Sequence, residues 1–380
     1  MEFRKLGRTG EAVSAVGLGC EHLENKPYEV VDEVIGAALE GDINYMDMFM
    51  ADPVVRGHIG KVLAGRRDKV MVQGMVGAVT DATGATTFSR DRKLTAQFFD
   101  DMLKLLRTDY IDTASIFFVD THEELDKVLA PGGQLEYALD LKKAGKARFV
   151  GMSSHIADVA AKAVGTGAID VLMFPVNPAF DMLADIDNID LLFDPDTYIA
   201  QKGAAAPGTD RANLYRACEA HGTAVVSMKT YAAGRLLGDE SPVGIKLTPA
   251  QCIHYALSRP SVVSTLIGCK TRGEVEAALA YNGASETERD FSILSGTTQC
   301  DLRGKCMYCN HCLPCPSQID VASLTRALDL AASAPDIARA QYEALSAKGS
   351  DCVECGSCMQ ICPFDVDIIG NMRRAAALFA

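Results

Sequence analysis

Two short stretches near the end of the chain hold its most chemically capable residues. Residues 306–316 read CMYCNHCLPCP and residues 352–363 read CVECGSCMQICP. The second has the spacing C-x2-C-x2-C-x3-C-P, and the first has C-x2-C-x2-C-x2-C-P. Three thiolates in so tight a loop can hold one face of an iron–sulfur cubane, and the fourth Cys of such a run often ligates the other cluster. The spacing predicts two [4Fe–4S] clusters. One takes Cys306, Cys309, Cys312 and Cys362; the other takes Cys352, Cys355, Cys358 and Cys315. Pro316 and Pro363 turn the chain away after each run. Zinc uses paired cysteines rather than eight in two fourfold runs. Neighbouring clusters move electrons singly, so the segment reads as an electron port that says nothing about a substrate.

The C-x2-C-x2-C-x3-C-P run is the one used by bacterial ferredoxins, which makes the end of the chain a small α-helical ferredoxin-like domain. The distribution of cysteine supports a boundary there. Of thirteen cysteines, four (Cys20, Cys218, Cys252, Cys269) are scattered over the first 299 residues and nine lie in the last 81. This places a large domain over 1–285, a linker over 286–299 and the cluster domain over 300–380. Cys300 and His311 are spare.

The large domain must supply whatever binds a substrate. Its pattern is strand, loop, helix, repeated. Runs of apolar residues without clean alternation, expected of buried parallel strands, occur at 13–19, 43–48, 69–77, 111–118, 147–154, 171–176, 223–229 and 262–268. Helical spacing marks 28–42, 96–109, 156–167 and 213–222. Eight such units predict a (β/α)8 TIM barrel. An open doubly wound sheet fits less well, because no GxGxxG follows the first strand. One connection is long, residues 178–212, and six aspartates crowd its first half between 181 and 196. It reads either as a solvated acidic loop or as a lid or docking segment at the barrel mouth.

The remaining composition is that of a globular chain, 48% hydrophobic and 23% charged. A net charge of −13 argues against nucleic acid as a partner. No apolar run approaches the ~18 residues of a membrane span. MEFRKLGRTG lacks the apolar core of a signal peptide, so a cytoplasmic location is expected.

EFRKLGRTGEAVSAVGLGC at the start resembles the opening of aldo-keto reductases, as do GRRDKVMVQGMVG (65–77), DYIDTASIFF (109–118), VGMSSH (150–155) and VVSMKTYAAGRLL (225–237). Met228–Lys229 and His155 look like the branch with a C-terminal two-cluster domain. The resemblance implies a Tyr, Lys, Asp and His that reduce a carbonyl with NADPH. Aligned on this chain, the Asp is Asp47, the Tyr position holds Asp52, the Lys position Met75 and the His position Phe117. Asp52 can be an acid near neutrality only if burial or Asp47 raises its pKa. The resemblance further implies a cofactor phosphate at Lys270, Thr271 and Arg272, where a helix starts after strand eight, and cofactor contacts from Gly19, Ser153, Asn177 and Lys229. NAD(P)H, or less readily a flavin, is the expected organic cofactor.

Asp47, Asp52, His155 and Lys229 are the candidates for proton handling, with His22, Asp120 and Tyr231 nearby in the mouth. The leading expectation is an iron–sulfur oxidoreductase passing electrons between two clusters and a small molecule at the barrel mouth. The rivals are an NAD(P)H-dependent carbonyl reductase with a rearranged proton donor, and a non-catalytic subunit serving a redox protein partner.

Overall fold

In the computed structural model, which describes all 380 residues, eight parallel strands close into a barrel. They are β1 (Val16–Gly19), β2 (Tyr45–Met48), β3 (Met71–Val76), β4 (Ile111–Ile116), β5 (Ala147–Ser153), β6 (Val171–Pro175), β7 (Ala224–Met228) and β8 (Val262–Gly268). Each pairs with its neighbours in sequence, and β8 closes on β1 with Thr265 opposite Val16. All eight fall on the predicted apolar runs. A strand buried on both faces needs apolar side chains on both, and strands β2, β3 and β4 are buried at every residue.

The run 13–19 divides. Ala12–Ser14 pairs antiparallel with Phe3–Lys5, Phe3 opposite Ser14, and only Val16–Gly19 enters the barrel. Leu6 and Val13 of this hairpin join the barrel interior with Tyr45, Met75, Met173 and Val226, plugging one end. The outer ring contains helices that periodicity alone did not resolve, among them Pro53–Val62, His122–Leu129, Gln134–Lys143 and Pro249–Ser258. No helix is long and apolar enough to cross a membrane.

The predicted linker is corrected. Residues 286–299 are not a spacer: they hold a short helix at Glu286–Arg289, and Phe291 and Leu294 are fully buried. The segment 300–380 is helical as expected, with helices Val321–Leu330, Pro335–Ala344, Ser357–Ile361 and Ile368–Leu378. It does not have a core to itself. One apolar cluster joins Leu324, Phe364 and Met372 of this segment to Phe180, Leu192 and Tyr198 of the long connection and to Tyr255 of the barrel layer. Arg326 ion-pairs with the buried Glu219 at 2.5 Å across the same seam.

The long connection 178–212 folds into three short helices, Pro178–Asp181, Asp190–Phe193 and Pro195–Ala200. Its aspartates conceal apolar residues that are deeply buried, including Phe180, Met182 and Leu183. The segment is therefore a wedge between barrel and C-terminal helices rather than a solvated loop.

Candidate active site at the barrel mouth

A cavity of about 520 Å³ opens at the carboxyl ends of the strands, a volume suited to a small organic ligand. Parallel strands end there together, so residues distant in sequence meet: Gly19 from β1, Asp47 from β2, Ser153 from β5 and Lys229 just after β7. His155, Lys270, His22 and Tyr231 also line it. The long connection contributes Ile189 and Phe193 to the cavity wall.

Asp47 is buried at 6% exposure. Gln73, its register partner on β3, donates from Nε2 to Asp47 Oδ1 at 3.0 Å and itself accepts from the Tyr45 hydroxyl at 2.9 Å. Burial pushes the Asp47 carboxyl up to about 7; the Gln73 hydrogen bond and Lys229 work against this, and Glu21 adds to it. Gln73 was not foreseen. Its signal was a lone amide in the apolar run VMVQGMV, since a buried amide needs a partner.

His155 is held twice by Asp120. Its backbone N–H donates to Oδ1 at 2.7 Å, and Nδ1 lies 2.8 Å from Oδ2. Both side chains are 8% exposed. With Nδ1 bound to the carboxylate, Nε2 is the ring nitrogen left for a bound molecule. Lys229 has a left-handed backbone (φ 54°). Asn177 Nδ2 donates to its carbonyl at 2.9 Å, and its ammonium lies 5.5 Å from the Phe193 ring without a carboxylate partner.

Several expectations change. Asp52 does not line the cavity. It caps the helix Pro53–Val62, accepting from the Val54 N–H at 2.6 Å; an Asp followed by Pro at the first helical position is a strong helix start. The carboxylate that acts on Asp47 is Glu21 instead. Asn177 is buried and caps the helix Pro178–Asp181, accepting from Phe180 N–H at 2.9 Å, so it braces Lys229 rather than touching a ligand. The phosphate set also breaks up. Thr271 caps the helix Arg272–Leu279, and Arg272 is turned to Glu40 (2.6 Å) and Glu276 (2.8 Å). Of the three only Lys270 lines the cavity. Its N–H is taken by Glu274 at 2.5 Å, an acidic neighbour where an anion was expected.

The places of the two missing polar residues are apolar in space as well as in sequence. Met75 is 2% exposed in the barrel interior. Phe117 lines the cavity beside Phe49 (5.9 Å between centroids) and Phe118 (5.8 Å), and Phe118 lies 5.4 Å from His155. The mouth thus has an aromatic wall opposite its lysines.

The cysteines form a second locus. None of the thirteen is in a disulfide. Cys306, Cys309, Cys312 and Cys362 line one hollow with Met307, His311 and Ile368. Burial pushes Cys312 up to about 12, with Cys306, Cys309 and Cys362 as its charged neighbours. Cys358 is raised by burial, with Cys352 and Cys315 beside it. No three His, Cys, Asp or Glu side chains are arranged around a single ion. A cubane is ligated at four separate irons, so its thiolates need not converge on one point. Sulfur is the donor it requires, and the grouping fits it.

An eight-stranded barrel with a hairpin at one end and a polar mouth is the aldo-keto reductase fold, and comparison with solved structures shows it. The chain is similar to the holo form of aldo-keto reductase AKR11C1 from Bacillus halodurans, with TM-score 0.59 and 20% identity over 76% of this chain and 94% of that one. It is similar to PA4992 from Pseudomonas aeruginosa, with TM-score 0.55 and 19% identity over 74% and 95%. In sequence it is 26% identical over 316 residues to the uncharacterized oxidoreductase YqkF of Bacillus subtilis, covering 80% of this chain and 98% of that protein. No protein-family model matches the chain.

Proposed function

We propose that this chain is an oxidoreductase of the aldo-keto reductase type whose C-terminal cysteines hold two [4Fe–4S] clusters serving a small molecule at the barrel mouth. One observation carries the reading: Cys362 shares a hollow with Cys306, Cys309 and Cys312, although it belongs to the other run. This grouping supports the crossed arrangement that the spacing predicts. The likeness to YqkF, named an oxidoreductase, and to aldo-keto reductase structures supports the barrel half of the reading.

When bound, the clusters supply or remove electrons one at a time. The chain's own residues do the rest. Phe49, Phe117 and Phe118 exclude water and offer ring faces to a planar, weakly polar ligand. Lys229 places a positive charge opposite Asp47, so negative charge developing on the ligand is met by an unpaired ammonium. Asp47, poised at about 7, can give or take a proton near neutral pH. His155, oriented by Asp120, offers a second proton site at Nε2. Ordinary carbonyl reduction is disfavoured, because the Tyr position holds Asp52, a helix cap outside the cavity, and the Lys and His positions hold the apolar Met75 and Phe117. The second cysteine run is the more open one, with Cys355 exposed and Val353 67% exposed, and this side suits exchange with a redox protein partner.

NAD(P)H-dependent reduction is the second reading, favoured by Gly19, Ser153, Lys229 and Lys270 in the cavity wall. Anaerobic reconstitution of the full chain, followed by titration with NADH and NADPH, separates the two. Iron and sulfide uptake with a cluster absorbance band is expected. Bleaching by a nucleotide would join nicotinamide to the clusters. A chain that takes no iron yet oxidises NADPH with an aldehyde would replace the first reading by the second.

A further inference from the structure

Arg259 ends the barrel helix Pro249–Ser258 and is 6% exposed. Its guanidinium is sandwiched 4.6 Å from the Tyr255 ring and 5.3 Å from the Tyr308 ring. Nη2 donates to the carbonyl of Met307 and to Ser258 Oγ (3.0 Å). Nε is buried with no partner at all. No carboxylate forms an ion pair with it. The Asp181 carboxylate beyond Tyr255 is already filled by Arg211 Nε (2.6 Å) and by the hydroxyls of Tyr215 and Tyr255 (2.9 Å each).

A buried cation without an anion is heavily penalised, and buried charges are paired as a rule. What Arg259 faces is the first cysteine run. Met307, whose carbonyl it binds, and Tyr308, on which it stacks, lie between Cys306 and Cys309. A cubane on four thiolates is an anion in both working states, with one more negative charge when reduced.

We propose that Arg259 is the built-in counter-cation of the cluster held by Cys306, Cys309, Cys312 and Cys362, and that it makes this cluster easier to reduce. The inference rests on the cluster reading above. It also makes the barrel a participant in the redox chemistry of the C-terminal segment, since the cation comes from a barrel helix.

The test is an EPR-monitored redox titration of the anaerobically loaded full chain and its variants. In Arg259→Gln, the signal that Cys362→Ser removes should become harder to reduce. About a tenfold lower reduced-to-oxidised ratio at fixed poise is expected, which for one electron is about 59 mV, with the other signal unmoved. Arg259→Met keeps the side chain's length between the two rings and is read where the Gln form does not fold. Arg259→Lys should restore most of the shift. Arg373→Gln, which removes an exposed cation already paired with Glu354, should leave that signal in place. Loss of only that cluster's iron in the neutral variants supports the proposal equally. Neutral variants that keep both clusters at unchanged potentials overturn it. A parent chain that takes up no cluster overturns the cluster reading itself, before any variant is compared.

Discussion

Gln73 and Asp47 face each other across neighbouring barrel strands, amide to carboxylate, at 3.0 Å. Burial in an otherwise apolar interior pushes the Asp47 carboxyl up to about 7 from its usual value near 3.8, although the Gln73 contact works the other way. The folded chain therefore binds this proton more tightly than the unfolded chain. Its contribution to stability is full below about pH 4, falls as pH rises to about 7, and is flat beyond. Asp47→Asn should remove that slope and gain on the order of 3–4 kcal/mol relative to the parent at pH 8, read by urea unfolding at pH 5 and pH 8. Turnover should fall. Gln73→Leu removes a contact that lowers the Asp47 pKa, so the slope should extend to higher pH. Parallel stability curves for parent and Asp47→Asn would show that Asp47 is ionised throughout.

The Asp120–His155 pair predicts a kinetic effect larger than its structural one. Asp120→Asn keeps an acceptor for the backbone but loses the carboxylate that orients the ring. Turnover should drop by roughly 10²–10⁴, with an altered pH profile, while stability falls by about 1–3 kcal/mol. A large loss of stability with turnover intact would make the pair a brace for the turn after β5.

Asp52 should behave as a cap and nothing more. Asp52→Ala should cost about 1 kcal/mol in thermal or urea unfolding and leave turnover unchanged. A deep loss of turnover in a folded Asp52→Ala variant would return this residue to the active site.

Asn177→Ala should release the carbonyl of Lys229 and orphan the Phe180 N–H. A destabilisation of about 1–3 kcal/mol is expected, with KM raised and kcat lowered, because Lys229 would no longer be held where it meets charge on the ligand. An unchanged KM would separate Asn177 from the cavity.

The crossed ligation is open to a simple assay. Cys362→Ser and Cys306→Ser should abolish the same EPR signal and each halve the bound iron. Cys315→Ser and Cys352→Ser should abolish the other. If Cys362→Ser instead shares its loss with Cys352→Ser, each run holds its own cluster.

The barrel was legible because its strands must be apolar on both faces, a demand written locally along each run. The cap at Asp52 was legible too, in Asp52-Pro53, but alignment to a family motif drew it toward catalysis. The helices around the barrel were less visible: His122–Leu129 spans only eight residues, and the periodicity of Gln134–Lys143 is diluted by charge. Arg272 looked free in the sequence because its partner Glu40 lies 232 residues away.

By itself the sequence determined the eight apolar runs, the sulfur spacing and the loss of polar residues at Met75 and Phe117, since each depends on residue type and short-range order alone. Tertiary structure decided what stands opposite what. It placed Gln73 on Asp47, Asp120 on His155, the long acidic connection over the mouth and Arg259 against the first cysteine run. Burial and charge pairing act through space, and their partners are set by how the strands close and the segments dock.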